Sequence, residues 1–338
     1  MVFNPIRKEL ISINQPNDTI LIDITSNGKI NNWQVKKMKN EILAESYKRL
    51  QYFNKSFRVQ NCGTLLDFKR YHDNTLKLDK ANFCKIRLCP LCSWRRSLKI
   101  FGQVSKIMDQ ITQDNKYDFL FLTLTTKNCN GEDLSITIDN LMKAFKEMQR
   151  DKVYKKTILG YFRALEVTHN LNYKSKSYDT YHPHFHCILV VKNTYFKKEY
   201  ISQETWTSIW KKCLQVDYNP IVHITRFKEN ENENLKKGIA EAAKYTVKDN
   251  DYIVINSLDE VDEELTDKSV EVLDNALFNR RLTAYGGILK QIHKELNLDD
   301  AIDGDLINTD NDTIRNDLDY VIEKYRWNIG YKQYYKTN

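Results

Sequence analysis

Apolar and polar positions follow helical periods in some segments of the chain and strand periods in others. Helical spacing of apolar side chains predicts helices over residues 32–53, 93–113, 134–150 and 202–214. Continuous or alternating apolar runs predict strands over residues 117–126, 160–169, 185–191 and 221–227. The order of these elements favours an α+β fold with a ferredoxin-like layer, in which an antiparallel sheet carries helices on one face.

Three imidazoles stand at alternate positions at the head of one apolar run. Because a strand repeats every two residues, His182, His184 and His186 are expected to share one face. Neutral imidazole nitrogens are common ligands of divalent metals, and two on one strand lie close enough to hold a single ion. The spacing predicts a metal site. The alternative is a cluster of half-exposed histidines that binds nothing.

A second segment, rich in alanine and in charge, favours a helix about sixty residues later. Glu241, Tyr245 and Lys248 stand there at i, i+4 and i+7, so one helix face carries a carboxylate, a phenol and an ammonium. Taken alone, this pattern is typical of a solvated surface helix. The histidine strand that precedes it shifts the interpretation toward a catalytic face.

Three blocks in this order resemble the motifs of HUH endonucleases, and more narrowly those of the rolling-circle replication initiators of small Gram-positive plasmids. The blocks are Phe-Leu-Thr-Leu-Thr at 121–125, His-Pro-His-Phe-His at 182–186, and residues 241–248 with their tyrosine and lysine. The resemblance covers about residues 62–290. It implies a single catalytic tyrosine, Tyr245, preceded by the glutamate of the family, Glu241.

The chemistry of the residues agrees with a tyrosine nucleophile. A tyrosine hydroxyl has an ordinary pKa near 10, so it attacks poorly at neutral pH unless the phosphodiester is made more electrophilic. An ion held by His184 and His186 would polarise the scissile phosphate and orient it for in-line attack by Tyr245. The expected products are a 5′-phosphotyrosine and a free 3′-hydroxyl that a DNA polymerase can extend.

A histidine pair leaves coordination positions open, so a third ligand is expected. Glu166, on the alternating stretch before the histidines, is the leading candidate, although it also fits an exposed strand carboxylate. His182 competes with it, but Pro183 is expected to disturb the strand and turn that ring away. Two imidazoles and one carboxylate suit Mn²⁺ or Mg²⁺ as the catalytic cofactor.

The resemblance also implies a role for the two charged residues around Tyr245. After one round of replication the regenerated origin must be cut again, and a water activated by Glu241 as general base would make termination hydrolytic. Lys248 would counter the negative charge of the phosphate or hold the tyrosine in place.

Four cysteines in the N-terminal third predict a second metal site. Cys89 and Cys92 form a Cys-Pro-x-Cys knuckle, and Cys84 lies five residues earlier. The fourth ligand is expected to be Cys62, with His72 as the alternative. An all-sulfur set favours structural Zn²⁺, although free buried cysteines would give the same sequence, and a disulfide framework is less expected in a chain of this size.

Charge and hydropathy indicate a partner and a compartment. Residues 251–338 hold 10 Lys and Arg against 19 Asp and Glu, which leaves 42 basic and 26 acidic residues in 1–250. The basic part coincides with the predicted metal sites, as a phosphate-binding surface should. Arg95, Arg96 and Lys99 are the predicted DNA contacts, with a solvated helix face as the alternative.

No long apolar segment predicts a signal peptide or membrane span, so a cytoplasmic protein without a membrane partner is expected.

These observations predict three regions: an N-terminal helical and zinc-ribbon-like segment at 1–115, an HUH nuclease layer at 116–250, and an acidic helical appendage at 251–338. The resemblance implies double-stranded origin DNA and a single-stranded nick site as substrates, a host helicase and DNA polymerase as partners, and leaves a homodimer open. An HUH transposase or a mobilisation relaxase would share the chemistry. A non-catalytic zinc-ribbon repressor is the alternative of a different class.

Overall fold

The structure is a computed structural model that describes residues 19–25, 28–113, 116–227, 238–243, 247–256, 258, 260–309 and 319–337. The chain divides into two compact units. Unit 1 takes its residues from 1–96, 252–271 and 303–338, and unit 2 takes its residues from 97–251 and 272–302. Each unit is therefore assembled from segments that are distant in sequence.

The helices and strands are numbered in chain order. The helices are α1 (Trp33–Arg49), α2 (Phe53–Asn61), α3 (Pro90–Thr112), α4 (Leu134–Met148), α5 (Lys152–Thr157), α6 (Gln203–Leu214), α7 (Glu263–Leu277) and α8 (Gly287–Glu295). The strands are β1 (Leu65–Tyr71), β2 (Leu76–Ala81), β3 (Tyr117–Thr125), β4 (Gly160–Asn170), β5 (Thr180–Lys192), β6 (Val222–Arg226), β7 (Thr283–Gly286), β8 (Tyr320–Asn328) and β9 (Gln333–Thr337). Residues 238–242 are also helical.

The helix predicted over 32–53 is present as α1 but ends four residues earlier, and a second helix follows it. Helix α1 ends at Arg49 because Gln51 takes a left-handed backbone conformation, with φ of 62°, and α2 then begins at Phe53. The C-terminal region predicted as an acidic helical appendage contains the helices α7 and α8 and also three strands. Strand β7 joins one sheet, and β8 and β9 form half of the other.

Unit 2 contains a five-stranded antiparallel sheet in the order β6-β3-β5-β4-β7. The expectation of an α+β fold with an antiparallel sheet is confirmed, as is the pairing of the Phe121 strand with the histidine strand. Thr123 pairs with His186 and Thr125 with His184 across β3 and β5. Strand β5, which carries the histidines, is therefore central.

Helices cover both faces of this sheet, so the expectation of helices on one face only is wrong. The reason lies in β5, whose residues from Pro183 to Val191 are all buried and need a partner on each side. On one face, Phe145 of α4 packs edge-on against Phe185, with ring centroids 5.5 Å apart. The other face packs in one core cluster with α3, α8 and residues 239–243.

Unit 1 contains a four-stranded antiparallel sheet in the order β2-β1-β8-β9. One of its faces packs on α1, where the rings of Trp33 and Phe68 lie 5.6 Å apart. Glu323 is buried at this covered face and binds three groups: Arg70 at 2.8 Å, Lys336 at 2.6 Å and the Tyr325 hydroxyl at 2.8 Å.

Among the described residues, no helix is long and apolar enough to cross a membrane.

We expect Glu323→Gln to destabilise the protein by about 2 kcal/mol at pH 7. Burial alone would raise the pKa of Glu323, but hydrogen bonds from Arg70, Lys336 and Tyr325 outweigh it and lower the pKa to about 2. A carboxyl group whose pKa is lower in the folded than in the unfolded state stabilises the fold at pH values above the unfolded-state pKa. This contribution to stability is lost as pH falls toward 2, the pKa in the folded state. Denaturant unfolding between pH 7 and pH 2.5 should show the two proteins converging at acid pH.

The matched control for this variant is Glu45→Gln, because Glu45 is an exposed α1 residue 3.7 Å from Lys48. An exposed pair of this kind contributes little, so its variant should stay within about 0.5 kcal/mol of the parent. A Glu323→Gln protein that unfolds like the Glu45→Gln control at pH 7 would contradict the assignment.

Candidate functional site

Strands β4 and β5 bring three metal-ligand side chains together. Glu166 pairs directly with His184, and His186 is two residues further along the same face of β5. The Glu166 Oε2 atom lies 2.9 Å from His186 Nε2 and 3.5 Å from His184 Nε2. The three ligand atoms all lie within 4.8 Å of one another, and all three residues are buried. Glu166, the leading candidate for the third ligand, is thus beside the histidine pair.

The ring nitrogens of the pair are oriented by the protein. His184 Nδ1 lies 3.0 Å from the His182 carbonyl oxygen, and His186 Nδ1 lies 3.3 Å from Thr123 Oγ1. A carbonyl oxygen can only accept, so Nδ1 of His184 carries the proton and its Nε2 lone pair is available to a metal. Both Nε2 atoms face Glu166, and this donor set fits one divalent cation.

Lys248 forms an ion pair with the group of three metal-ligand residues, Glu166, His184 and His186, called the trio below. Its Nζ atom lies 2.9 Å from Glu166 Oε1, the carboxylate oxygen that does not face the histidines. Burial alone would raise the pKa of Glu166, but the neighbouring His184, His186 and Lys248 groups hold this pKa far below its usual range. Burial opposes charge on Lys248 as well, yet the Glu166 hydrogen bond leaves the pKa of Lys248 raised. The carboxylate is therefore ionised and ready to bind a cation.

His182 is not part of this group of three. Its ring stacks on that of His184, with centroids 5.0 Å apart, and burial together with the nearby His184 lowers the pKa of His182. The expected disturbance at Pro183 is absent, because Pro183 pairs with Val167 inside the regular register of β5. His182 is thus a neighbour of the trio on the same strand.

Tyr245 lies outside the described residues, as do Lys244 and Thr246. The chain on both sides of it can be described. Ile239, Ala242 and Ala243 are buried in the core cluster that also contains Ala164 and Ile188 of the histidine-bearing face. On the other side, Val247 is buried and Lys248 contacts Glu166. Glu241 is partly exposed in the helical turn before the tyrosine.

An aspartate and a histidine that the sequence did not single out anchor this segment to β4. The Asp251 carboxylate accepts hydrogen bonds from the backbone N–H groups of Lys248, at 3.1 Å, and His169, at 3.4 Å. The His169 ring lies 3.0 Å from the Asp251 carbonyl oxygen and 2.9 Å from Asp179 Oδ1. His169 is three residues after Glu166, so the network ties the end of the tyrosine segment to the metal-ligand strand. No periodicity marks these residues.

The four predicted cysteines also converge, in unit 1. Their sulfur atoms lie within 4.8 Å of one another, with Cys62 3.5 Å from both Cys89 and Cys92, and Cys84 3.7 Å from Cys92. A tetrahedral zinc site with Zn–S bonds of about 2.3 Å has sulfur atoms roughly 3.8 Å apart, close to these values. All four residues are buried, whereas His72 is exposed and outside the group. The cluster is a possible metal site with Cys62 as the fourth member.

The comparisons with known proteins bear on the whole chain. Residues 75–335 match the model of a family described as "Replication protein". The chain belongs to this family of replication proteins. The resemblance to plasmid rolling-circle replication initiators is thereby confirmed at the level of the family.

Curated relatives of this replication protein align with it over most of its length. A "Protein rep" from Bacillus amyloliquefaciens is 41% identical over 94% of this chain and 97% of the relative. A "Protein rep" from Streptococcus pneumoniae serotype 2 is 39% identical over 95% and 97%. A third, from a Bacillus species, is 43% identical over 78% and 90%. No solved structure matches the chain.

The cations expected to contact DNA have internal partners in this replication protein. Arg95 binds the carbonyl oxygens of Leu306 and Ile307 at 2.9 and 2.6 Å. Arg96 binds the Ile86 carbonyl at 3.2 Å, and Lys99 lies 2.7 Å from Asp299. The three residues are 7%, 7% and 1% exposed. Their placement supports a structural role and gives no support to the prediction of DNA contact.

Proposed function

We propose that this protein starts plasmid rolling-circle replication by nicking one strand of the origin, with Tyr245 as the nucleophile. One observation carries the proposal. Glu166, His184 and His186 form a buried divalent-metal donor set, and Lys248, three residues after Tyr245, contacts the same carboxylate. The residues before Tyr245 pack in the core cluster of the sheet face that bears these ligands, and Lys248, after it, contacts Glu166. These contacts of the flanking residues support Tyr245 as the group that reaches a phosphate at the metal site.

The chemistry divides between the cation and the chain. When bound, the cation supplies Lewis-acid stabilisation of charge on the phosphate oxygens. The Tyr245 hydroxyl oxygen attacks the phosphorus and loses its proton to water, while the bond from phosphorus to the 3′ oxygen breaks. The departing 3′ oxygen takes up a proton, which leaves a 3′-hydroxyl and a 5′-phosphotyrosine. Bond energy stored in the phosphotyrosine permits later strand transfer by attack of another 3′-hydroxyl.

Lys248 has a positioning role in this scheme. Its ion pair with Glu166 Oε1 fixes the carboxylate so that Oε2 faces both imidazoles. The Asp251 carboxylate in turn accepts hydrogen bonds from the backbone N–H groups of Lys248 and of His169 on β4, so it ties residues 248–251 to that strand. The chain that follows the proposed nucleophile is thus tied to the strand that carries Glu166.

The remaining parts of the proposal concern cofactors, organisation and partners. The catalytic ion held by Glu166, His184 and His186 would be Mn²⁺ or Mg²⁺, and the four cysteines would hold a structural Zn²⁺. The HUH nuclease chemistry resides in the ferredoxin-like part of unit 2. The partners are the double-stranded origin, its single-stranded nick site, and a host helicase and DNA polymerase that use the free 3′ end. Dimer formation is an accessory possibility that analytical ultracentrifugation would test.

The proposal is tested with a labelled single-stranded oligonucleotide that contains the nick site, incubated with the protein and Mn²⁺. We expect a covalent protein–DNA adduct, removed by protease, whose rate falls roughly 100-fold or more in His186→Ala because a metal ligand is lost. His72→Ala is the matched control, since His72 is exposed and far along the chain from the trio. A repressor would bind origin DNA without forming any adduct, and that result would reject the enzyme.

Glu241 is proposed as the general base of termination, on the basis of its place four residues before Tyr245 in the sequence and of the family resemblance. Glu241→Ala is expected to leave the rate of the first nick within about two-fold and to slow hydrolytic release by roughly 100-fold. Single-turnover assays on a plasmid that carries a second nick site separate the two steps. Equal loss of both steps would show that Glu241 serves the first cut as well.

A further inference from the structure

The four-stranded sheet of unit 1 has one covered face and one open face. The covered face bears Phe68 and Tyr325, whose rings lie 5.9 Å apart beneath Trp33 of α1. Because neighbours along a strand point to opposite sides, the register between β1 and β8 places a second set of side chains on the opposite face. Tyr320 and Ile322 of that set are 44% and 40% exposed.

The open face is basic. Cross-strand register places five cations on it, two from β2, one from β1 and two from β8: Lys69, Lys77, Lys80, Lys324 and Arg326. Two carboxylates accompany them, Asp67 at 2.9 Å from Arg326 and Asp79 at 2.8 Å from Lys69. Within the described part of the chain, Lys77, Lys80 and Lys324 have no carboxylate partner. The cations of the covered face differ, since Arg70 and Lys336 both pair with Glu323.

Aromatic rings stand among these cations. The Tyr320 ring is exposed, with Lys69 Nζ 4.9 Å from its centroid and the Tyr71 ring edge-on at 6.0 Å. Tyr335 of β9 pairs with Arg326 and is partly exposed. Six positions along β8 separate Tyr320 from Arg326, so the two exposed rings lie roughly 20 Å apart.

Rings and cations on one open sheet suit a particular ligand. Lysines pair with phosphates, while exposed rings stack on bases, and this combination is typical of single-stranded nucleic acid binding. A duplex offers phosphates but hides the faces of its bases, so it would leave Tyr320 and Tyr335 unused. The length of the face suits a site of about four or more nucleotides.

We propose that the open face of the β2-β1-β8-β9 sheet binds single-stranded DNA. This function goes beyond the nicking site and depends neither on Tyr245 nor on the catalytic ion. The surface would hold a displaced strand through phosphate contacts with Lys77, Lys80 and Lys324 and through stacking on Tyr320.

The test measures binding of a fluorescent oligothymidine of twenty nucleotides to the full chain by anisotropy, without added Mn²⁺ and at several salt concentrations. Tyr320→Leu is expected to weaken binding about five-fold or more, because one stacking platform is lost. Lys324→Gln is expected to weaken it and to reduce the slope of log affinity against log salt by about 0.7, the value for one phosphate contact on a single strand.

Two variants in unit 1 serve as matched controls. Phe57→Leu removes an exposed ring from α2, and Lys48→Gln removes an exposed charge from α1, so neither alters the sheet face. Both should bind as the parent does, and thermal unfolding should be the same for all four variants. Nicking of a saturating oligonucleotide should also persist in Tyr320→Leu, which separates this surface from the proposed active site.

Three outcomes would overturn the proposal. In the first, Tyr320→Leu and Lys324→Gln bind oligothymidine as tightly as the parent. In the second, Lys48→Gln weakens binding as much as Lys324→Gln, which would indicate diffuse electrostatic attraction. In the third, the sheet variants lose affinity for a hairpin duplex alone, which would assign the face to double-stranded DNA.

Discussion

Replacing Tyr245 with phenylalanine is expected to abolish the covalent adduct with nick-site DNA, a loss of roughly 1000-fold or more in cleavage rate. The substitution removes one oxygen atom, the proposed nucleophile, and keeps the aromatic ring of the side chain. Binding of the same oligonucleotide should stay within about two-fold, because the metal donors Glu166, His184 and His186 remain. The measurement is the yield of protease-sensitive labelled DNA at fixed times with Mn²⁺.

Tyr200→Phe is the matched control for this experiment. Tyr200 is 62% exposed after the π-helical turn Tyr195–Glu199 and belongs to neither the trio nor the sheet that carries it. It should form the adduct at the parental rate. A Tyr245→Phe protein that still becomes linked to DNA would show that another side chain is the nucleophile, and peptide mapping of the adduct would identify it.

Replacing Cys92 with serine is expected to release the proposed zinc and to unfold the surrounding part of unit 1. Cys92 lies 3.5 Å from Cys62 and 3.7 Å from Cys84, and the backbone N–H of Lys85 points at its sulfur at 3.3 Å. Structural zinc supplies folding free energy directly, so losing one of four thiolates should cost several kcal/mol. The measured zinc content should fall from about one zinc per chain toward zero, and the melting temperature should drop by more than about 10 °C.

Cys213→Ser is the control, because Cys213 is a partly exposed residue of α6 outside the cysteine cluster. It should keep its zinc and its melting temperature. A purified parent protein without zinc, and as stable as a zinc-loaded sample, would show instead that the four cysteines are ordinary buried thiols.

The candidate metal site could be predicted because its spacing is local. Alternation along one strand sufficed to place His184 and His186 on a common face. Glu166 required more, since its contact with them depends on the register of β4 against β5, which the intervening loop sets. Asp251 and His169 were beyond sequence reasoning, because each contact joins a backbone group of one residue to the side chain of the other, 82 residues apart in the chain.

The fold was predictable where elements follow each other and unpredictable where distant segments meet. Strands β3, β4 and β5 could be recognised by their apolar runs, and the pairing of β3 with β5 was confirmed. The pairing of β1 with β8 joins residues about 250 positions apart, and no local pattern specifies it. Burial of Arg95 has the same origin, since its acceptors are the carbonyl groups of residues 306 and 307, more than 200 positions away.

The β1–β8 pairing has a consequence for synthesis of the protein on the ribosome. The β1–β2 hairpin emerges early, but β8, the strand that pairs with the other edge of β1, is made some 250 residues later. At about 5–20 residues per second, the hydrogen-bonding edge of β1 waits on the order of tens of seconds for its partner. An unpaired strand edge can pair with the same edge of another nascent chain. We therefore expect the yield of native protein to depend more on the density of ribosomes on the messenger RNA and on the supply of chaperones than on the speed of translation within either sheet.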